Sequence, residues 1–103
     1  MRKLCLAFTF LLCLPGTLGA EGVGALLPFL KTYCIQCHGQ EKQKGDRRFD
    51  GLKGDFSKVQ EAELFQEVLD QLNLAEMPPR KAKQPPPAKT REVVAQLTAA
   101  LAR

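Results

Sequence analysis

The chain has 103 residues, with 15 Lys and Arg against 11 Asp and Glu, a formal net charge of +4 and a pI near 9.0. That length allows one small domain with a limited core of its own. The basic balance argues only weakly for nucleic-acid binding, because two of the cations, Arg2 and Lys3, belong to a segment with a separate purpose.

That segment is the first twenty residues. Arg2 and Lys3 form a short basic start, Leu4 to Leu14 is apolar, Pro15 and Gly16 interrupt the run, and Gly19-Ala20 supplies a small-residue end. This is the layout of an export signal. The apolar run falls short of the ~20 residues of an ordinary membrane span. Phe10-Leu11-Leu12 ahead of Cys13 lacks the small residues of a lipid-attachment site. Cleavage after Ala20, with Gly19 as second choice, is expected to leave residues 21–103 as a single domain, periplasmic or otherwise extracytoplasmic, with no stable membrane span. Its basic count drops from 15 to 13 against the same 11 acids, a net +2, and no nucleic-acid partner is expected. Cys5 and Cys13 leave with the signal, so four cysteines become two.

Val23 to Tyr33 has an apolar helical pattern, with Leu26, Leu27, Leu30 and Cys34 on one line and Phe29 and Tyr33 beside it. Pro28 suits a first turn, where a missing N–H costs little, so the helix is predicted to start near Leu27. Directly after it comes Cys34-Ile35-Gln36-Cys37-His38. Two cysteines separated by two residues and followed at once by histidine read as a c-type haem attachment site. Each thiol adds to one vinyl group of a haem, and one helical turn between the thiols suits the two vinyl positions. His38 is then placed to bind the iron axially. A thioredoxin-like pair would require a βαβ setting, which is not in the pattern. A structural zinc site needs four ligands, and Cys34, Cys37 and His38 supply three that are tightly clustered. Neither cysteine is spare for a structural disulfide. Tyr33, just before the motif, is a candidate cover for a haem edge or an ordinary packing aromatic.

Residues 40–55 turn polar, with Gly45, Gly51 and Gly54 and Asp46, Asp50 and Asp55 marking turns. Phe49 and Leu52 are the apolar pins of this long loop. Arg47 and Arg48 are candidates to fork onto a haem propionate, or are simply solvated. A helix follows, with Asp55 or Ser57 as cap and Glu61 and Glu63 in an early turn. Phe65, Val68, Leu69 and Leu72 form its apolar face, extended by Val59 and Ala62, and its acidic face is solvated or docks a basic redox partner.

Met77, the one methionine left after export, precedes Pro78-Pro79. Two prolines stop a helix and hold the chain extended, so a thioether can be presented to the open face of a haem. Met and His together are a common axial pair that raises the potential, and Leu72 and Leu74 are expected around the sulfur. Arg80 to Pro87 is basic and proline-rich and reads as a stiff connector, or as a strip for an acidic partner. Thr90 is the expected cap of the last helix, Arg91 to Ala102, whose stripe is Val93, Val94, Leu97 and Leu101.

From about Leu26 to Leu101 the chain resembles the planctomycete-type cytochrome c domain. The likeness rests on Tyr33-Cys34 through Cys37-His38-Gly39, on Lys44-Gly45-Asp46 with Arg48 and Asp50, and above all on Val68 to Leu74 leading into Glu76-Met77-Pro78-Pro79. It implies an all-α, small cytochrome c-like fold, three to four helices around one covalently bound haem, with His38 and Met77 as axial ligands. Such domains commonly stand at the front of much larger extracytoplasmic proteins, so the chain is expected to be a free carrier or part of a larger protein. In ordinary small cytochromes c a proline carbonyl soon after the motif receives the second N–H of the histidine. No proline lies between His38 and Pro78, and another acceptor is required. The function expected is one-electron transfer with an unidentified redox partner protein rather than enzymatic bond chemistry. The alternative is a haem sensor or catalytic module in which Met77 leaves the iron free.

Overall fold

The structure, a computed structural model, describes Phe10, Leu11 and residues 23–103. Apart from those two residues, the export signal expected over 1–20 lies outside the described residues. Among them are three α-helices, α1 (Leu26–Tyr33), α2 (Val59–Asn73) and α3 (Pro87–Leu101), a 3-10 turn at Lys44–Asp46, and no strand. No helix among them is long and apolar enough to cross a membrane.

α1 begins one residue earlier than expected, at Leu26, and Pro28 lies in its first turn as its missing N–H requires. Leu26, Phe29 and Leu30 are its buried residues. α2 buries Phe65, Val68, Leu69 and Leu72, the face read from the sequence. Val59, expected to extend that face, is 65% exposed. The caps expected of Asp55 and Ser57 are not made: Lys58 is the N-cap residue, with no side-chain bond. Asp55 instead accepts hydrogen bonds from the N–H and hydroxyl of Ser57, which hold its carboxyl below the usual carboxylate range. Glu61 reaches back to the N–H groups of Lys53 (3.2 Å) and Asp55 (2.8 Å), tying the loop to the helix from inside its first turn.

α2 ends without glycine. Ala75 takes a left-handed φ of 55°. Its N–H bonds the Leu72 carbonyl (3.2 Å), and the Glu76 N–H bonds that of Gln71 (3.1 Å). This is a Schellman stop, and it turns the chain into Met77. α3 begins at Pro87 rather than Arg91, with Pro86 as N-cap residue. Proline at the first helical position lacks an N–H that would be unpaired anyway, so the proline run ends inside the helix. Thr90 is therefore already helical and is not the cap. α3 packs on both α2 and α1, and the Ala25 N–H donates to Gln96 Oε1 (3.1 Å). Leu26, Phe29, Leu30, Phe49, Phe65, Val68, Leu69, Leu72, Val93 and Leu97 form one core. Within residues 40–64 only Phe49 is buried; Leu52, the other expected pin, and Phe56, stacked on Phe65 (4.7 Å), pack half-buried against the core.

Candidate functional site

The C-terminus of α1 delivers the cysteine motif. Cys34 is the cap residue, with its N–H on the Leu30 carbonyl (2.9 Å). One further turn, Cys37 N–H and His38 N–H both on the Cys34 carbonyl (3.2 and 3.0 Å), carries the chain through the motif. Gly39 then bends it sharply. A Cβ there would lie 2.5 Å from the Ile35 carbonyl oxygen, so only glycine fits without main-chain movement. The Gly39 N–H bonds Lys42 (2.7 Å) and the Lys44 N–H bonds Cys37 (2.9 Å), and His38 and Gln43 pair as an isolated antiparallel bridge.

His38 is held from three sides. Its carbonyl accepts the Phe49 N–H at 2.7 Å, its ring lies 5.1 Å from the Phe49 ring at 49°, and its Nδ1 is 3.3 Å from the Arg47 carbonyl oxygen. A carbonyl only accepts, so Nδ1 is the donor in this contact, and in the neutral ring the lone pair then lies on Nε2. The acceptor that the sequence required but did not identify is thus main chain, nine residues downstream.

Cys34, Cys37, His38 and Met77 all line one cavity of about 450 Å³. Tyr33, Phe49, Val68, Leu72, Pro78 and Pro79 supply apolar wall. Leu72 lines it as expected; Leu74 does not and is 64% exposed. Tyr33 lines the cavity and packs on Phe29 (5.1 Å). The Lys83 ammonium lies 5.8 Å from the Tyr33 ring centroid, linking α1 to the Met77 loop. That loop is framed by Gln84, whose Nε2 donates toward the carbonyls of Pro78 (3.2 Å), Pro79 (2.8 Å) and Ala82 (3.2 Å). Met77 is 40% exposed and its peptide bond to Pro78 is cis.

The two arginines are engaged within the protein. Arg47 forks onto Glu67, Nε on Oε2 and Nη2 on Oε1 (3.1 Å). Arg48 forks onto Asp50 at 2.7 and 2.9 Å, and this hydrogen bonding holds the Asp50 carboxyl below the usual range. Arg47 and Glu67 line the cavity and Arg48 does not; the two guanidiniums, candidates for a propionate or for simple solvation, each meet a carboxylate of the chain. Glu67 carried no signal in the sequence, since it lies 20 residues from its partner on a face that read as solvated.

The donor set fits a covalently held haem. Cys34 and Cys37 are free thiols on one apolar cavity with an imidazole and a thioether. Burial, with Cys37 adding to it, pushes the Cys34 thiol up to about 12. That is the opposite of the depressed value of a redox-active thiolate. Among the described residues no group of three or more His, Cys, Asp or Glu is arranged to hold a metal ion, which disfavours structural zinc.

The family model of planctomycete cytochrome c matches residues 34–81. No curated protein and no solved structure matches the chain. The matched stretch contains both cysteines, His38, Arg47, Arg48 and Met77, and leaves Tyr33 just outside. Over residues 34–81 the chain therefore has the pattern of a planctomycete-type cytochrome c domain, whose family is one of haem-binding electron carriers.

Proposed function

We propose that the protein is an exported monohaem cytochrome that passes one electron at a time to and from a redox partner protein. Cys34 and Cys37 would hold the haem through thioethers, and His38 and Met77 would supply the ligands to its iron. The observation that carries this reading is the convergence of two free thiols, an imidazole and a thioether on one apolar cavity. When bound, the haem supplies a reversible one-electron couple.

The chain's own residues do the rest. Phe49, Val68, Leu72 and Pro78 keep water from the cavity wall and lower the local dielectric. The Arg47 carbonyl keeps the His38 proton on Nδ1, leaving Nε2 for the iron. Gln84 fixes the carbonyls around the Met77 loop, and a thioether ligand favours the reduced state. The exposed cations Arg80, Lys81 and Lys83 beside that loop suit an acidic partner surface. Export follows from the basic, apolar and small-residue order of residues 1–20.

An optical spectrum of protein made in a host with c-type haem maturation, with a haem-stained denaturing gel, tests the reading. Haem that stays with the polypeptide and a weak red band of ferric iron–thioether bonding are expected. Met77→Ala should abolish the band and lower the potential. An unchanged spectrum and potential in that variant would remove Met77 from the iron. The exposure of Met77 favours one second reading, a sensor or catalytic module in which the sulfur leaves the iron. Carbon monoxide separates the two, since a ferrous haem with both axial positions filled binds it poorly.

A further inference from the structure

The acceptor for His38 is a main-chain carbonyl, so it is only as well placed as residue 47. On one side, Phe49 is fixed by its buried ring and by its N–H on the His38 carbonyl. On the other, the Arg47 N–H closes the 3-10 turn on Lys44 at 3.3 Å. That turn is tied to the motif at its start, by the Lys44 N–H on the Cys37 carbonyl (2.9 Å) and the Asp46 N–H on the Gln43 carbonyl (3.0 Å), with Gly45 and Asp46 left-handed at φ 64° and 55°; residue 47 itself lies at its end. The one restraint that reaches residue 47 from another helix is its own side chain, whose two forked bonds end on Glu67. Glu67 stands on α2, the helix anchored by Phe65, Val68, Leu69 and Leu72.

We propose that Glu67 is a positioning residue for the axial histidine, acting through the Arg47 guanidinium to hold the Arg47 carbonyl against His38 Nδ1–H. This role rests on the haem reading above. A histidine that donates its second N–H to a fixed acceptor is a more basic ligand through the other nitrogen. A more basic ligand favours ferric iron, so loosening Arg47 raises the potential. The ion pair belongs to the protein's tuning of its iron and not only to its surface.

The test uses the haem-loaded full chain and two readouts, exchange of the His38 Nδ1 proton by NMR in the reduced state and the midpoint potential. The variants are Glu67→Gln, the swap Arg47→Glu with Glu67→Arg, and Asp70→Asn. Asp70 lines the same cavity but bonds Gln66, so its substitution removes equal charge without touching Arg47. Glu67→Gln is expected to speed proton exchange about fivefold, the worth of one partly exposed ion pair, and to raise the potential beyond the shift in Asp70→Asn. The swap, which rebuilds the pair with its charges reversed, should return both readouts toward wild type. Exchange in Glu67→Gln within about twofold of wild type, or equal effects from Asp70→Asn, would overturn the role of Glu67 and leave the haem reading intact. A wild-type chain without covalent haem on the gel would overturn the haem reading, and this role with it.

Discussion

Replacing Phe49 with alanine tests whether one ring orders the loop that carries the histidine's acceptor. Phe49 is 7% exposed, belongs to the core and is the single buried side chain within residues 40–64. Truncating a buried phenylalanine costs roughly 3–5 kcal/mol, from lost transfer energy and the cavity left behind. A domain of this size has only about 5–15 kcal/mol in total. At roughly 4–8 °C per kcal/mol, the lower bound alone lowers the melting midpoint by at least about 12 °C. Phe49→Leu keeps an apolar side chain and loses chiefly the tilted contact with the His38 ring, worth about 1 kcal/mol. The assay is thermal and urea unfolding of the haem-loaded protein followed by far-ultraviolet circular dichroism. A loss below about 1 kcal/mol for Phe49→Ala, or equal losses for the two variants, would refute the claim that this ring pins the loop.

Three further outcomes follow from local geometry. Gly39→Ala brings a Cβ to 2.5 Å from the Ile35 carbonyl oxygen, so the turn behind His38 must shift; a loss of about 1–3 kcal/mol in urea unfolding is expected. Ala75→Gly relieves a left-handed φ of 55° and should raise stability by up to ~1 kcal/mol, since the glycine's extra unfolded-state freedom offsets part of the gain. Before haem attachment, Cys34 should alkylate at pH 8.5 far more slowly in the folded chain than in urea, read by mass spectrometry of the labelled peptide. The raised Cys34 value also sets a direction in alkali. Its folded pKa of about 12 exceeds the ordinary 9.0, so its contribution is intact below pH 9 and is lost as pH rises toward 12, where the unfolded chain ionises first.

The apolar face of α2 was legible because Phe65, Val68, Leu69 and Leu72 recur at helical spacing among charged neighbours, and burial follows that spacing directly. The cysteine motif was legible because its chemistry is local to five residues. The start of α1 was legible to within a residue through Pro28, but the caps of α2 and α3 were not. Asp55, Ser57 and Thr90 are good capping residues, but capping depends on where the preceding chain lies, and there Glu61 and Pro87 had prior geometric claims. The end of α2 carried no glycine to announce the left-handed Ala75. The Arg47 carbonyl was beyond reach because every residue has one, and only the folded loop decides which carbonyl meets His38. The partners of Arg47 and Arg48 diverged for the same reason: Asp50 is two residues from Arg48, whereas Glu67 meets Arg47 only through tertiary folding.

Gln84 spends its amide on carbonyls 78, 79 and 82, all within the segment it belongs to. None of the ten core side chains lies between residues 77 and 84. Its ties beyond itself are the buried Pro78 ring and the Lys83 ammonium over Tyr33, so once these part it can open as a unit while the contacts among the three helices stay closed. Its amides should exchange with solvent through a sub-global opening well below the energy of complete unfolding. For a sulfur on iron, that separates two lifetimes: the ligand can detach and return many times within the life of one folded molecule, and the fold keeps the rest of the site ready for it.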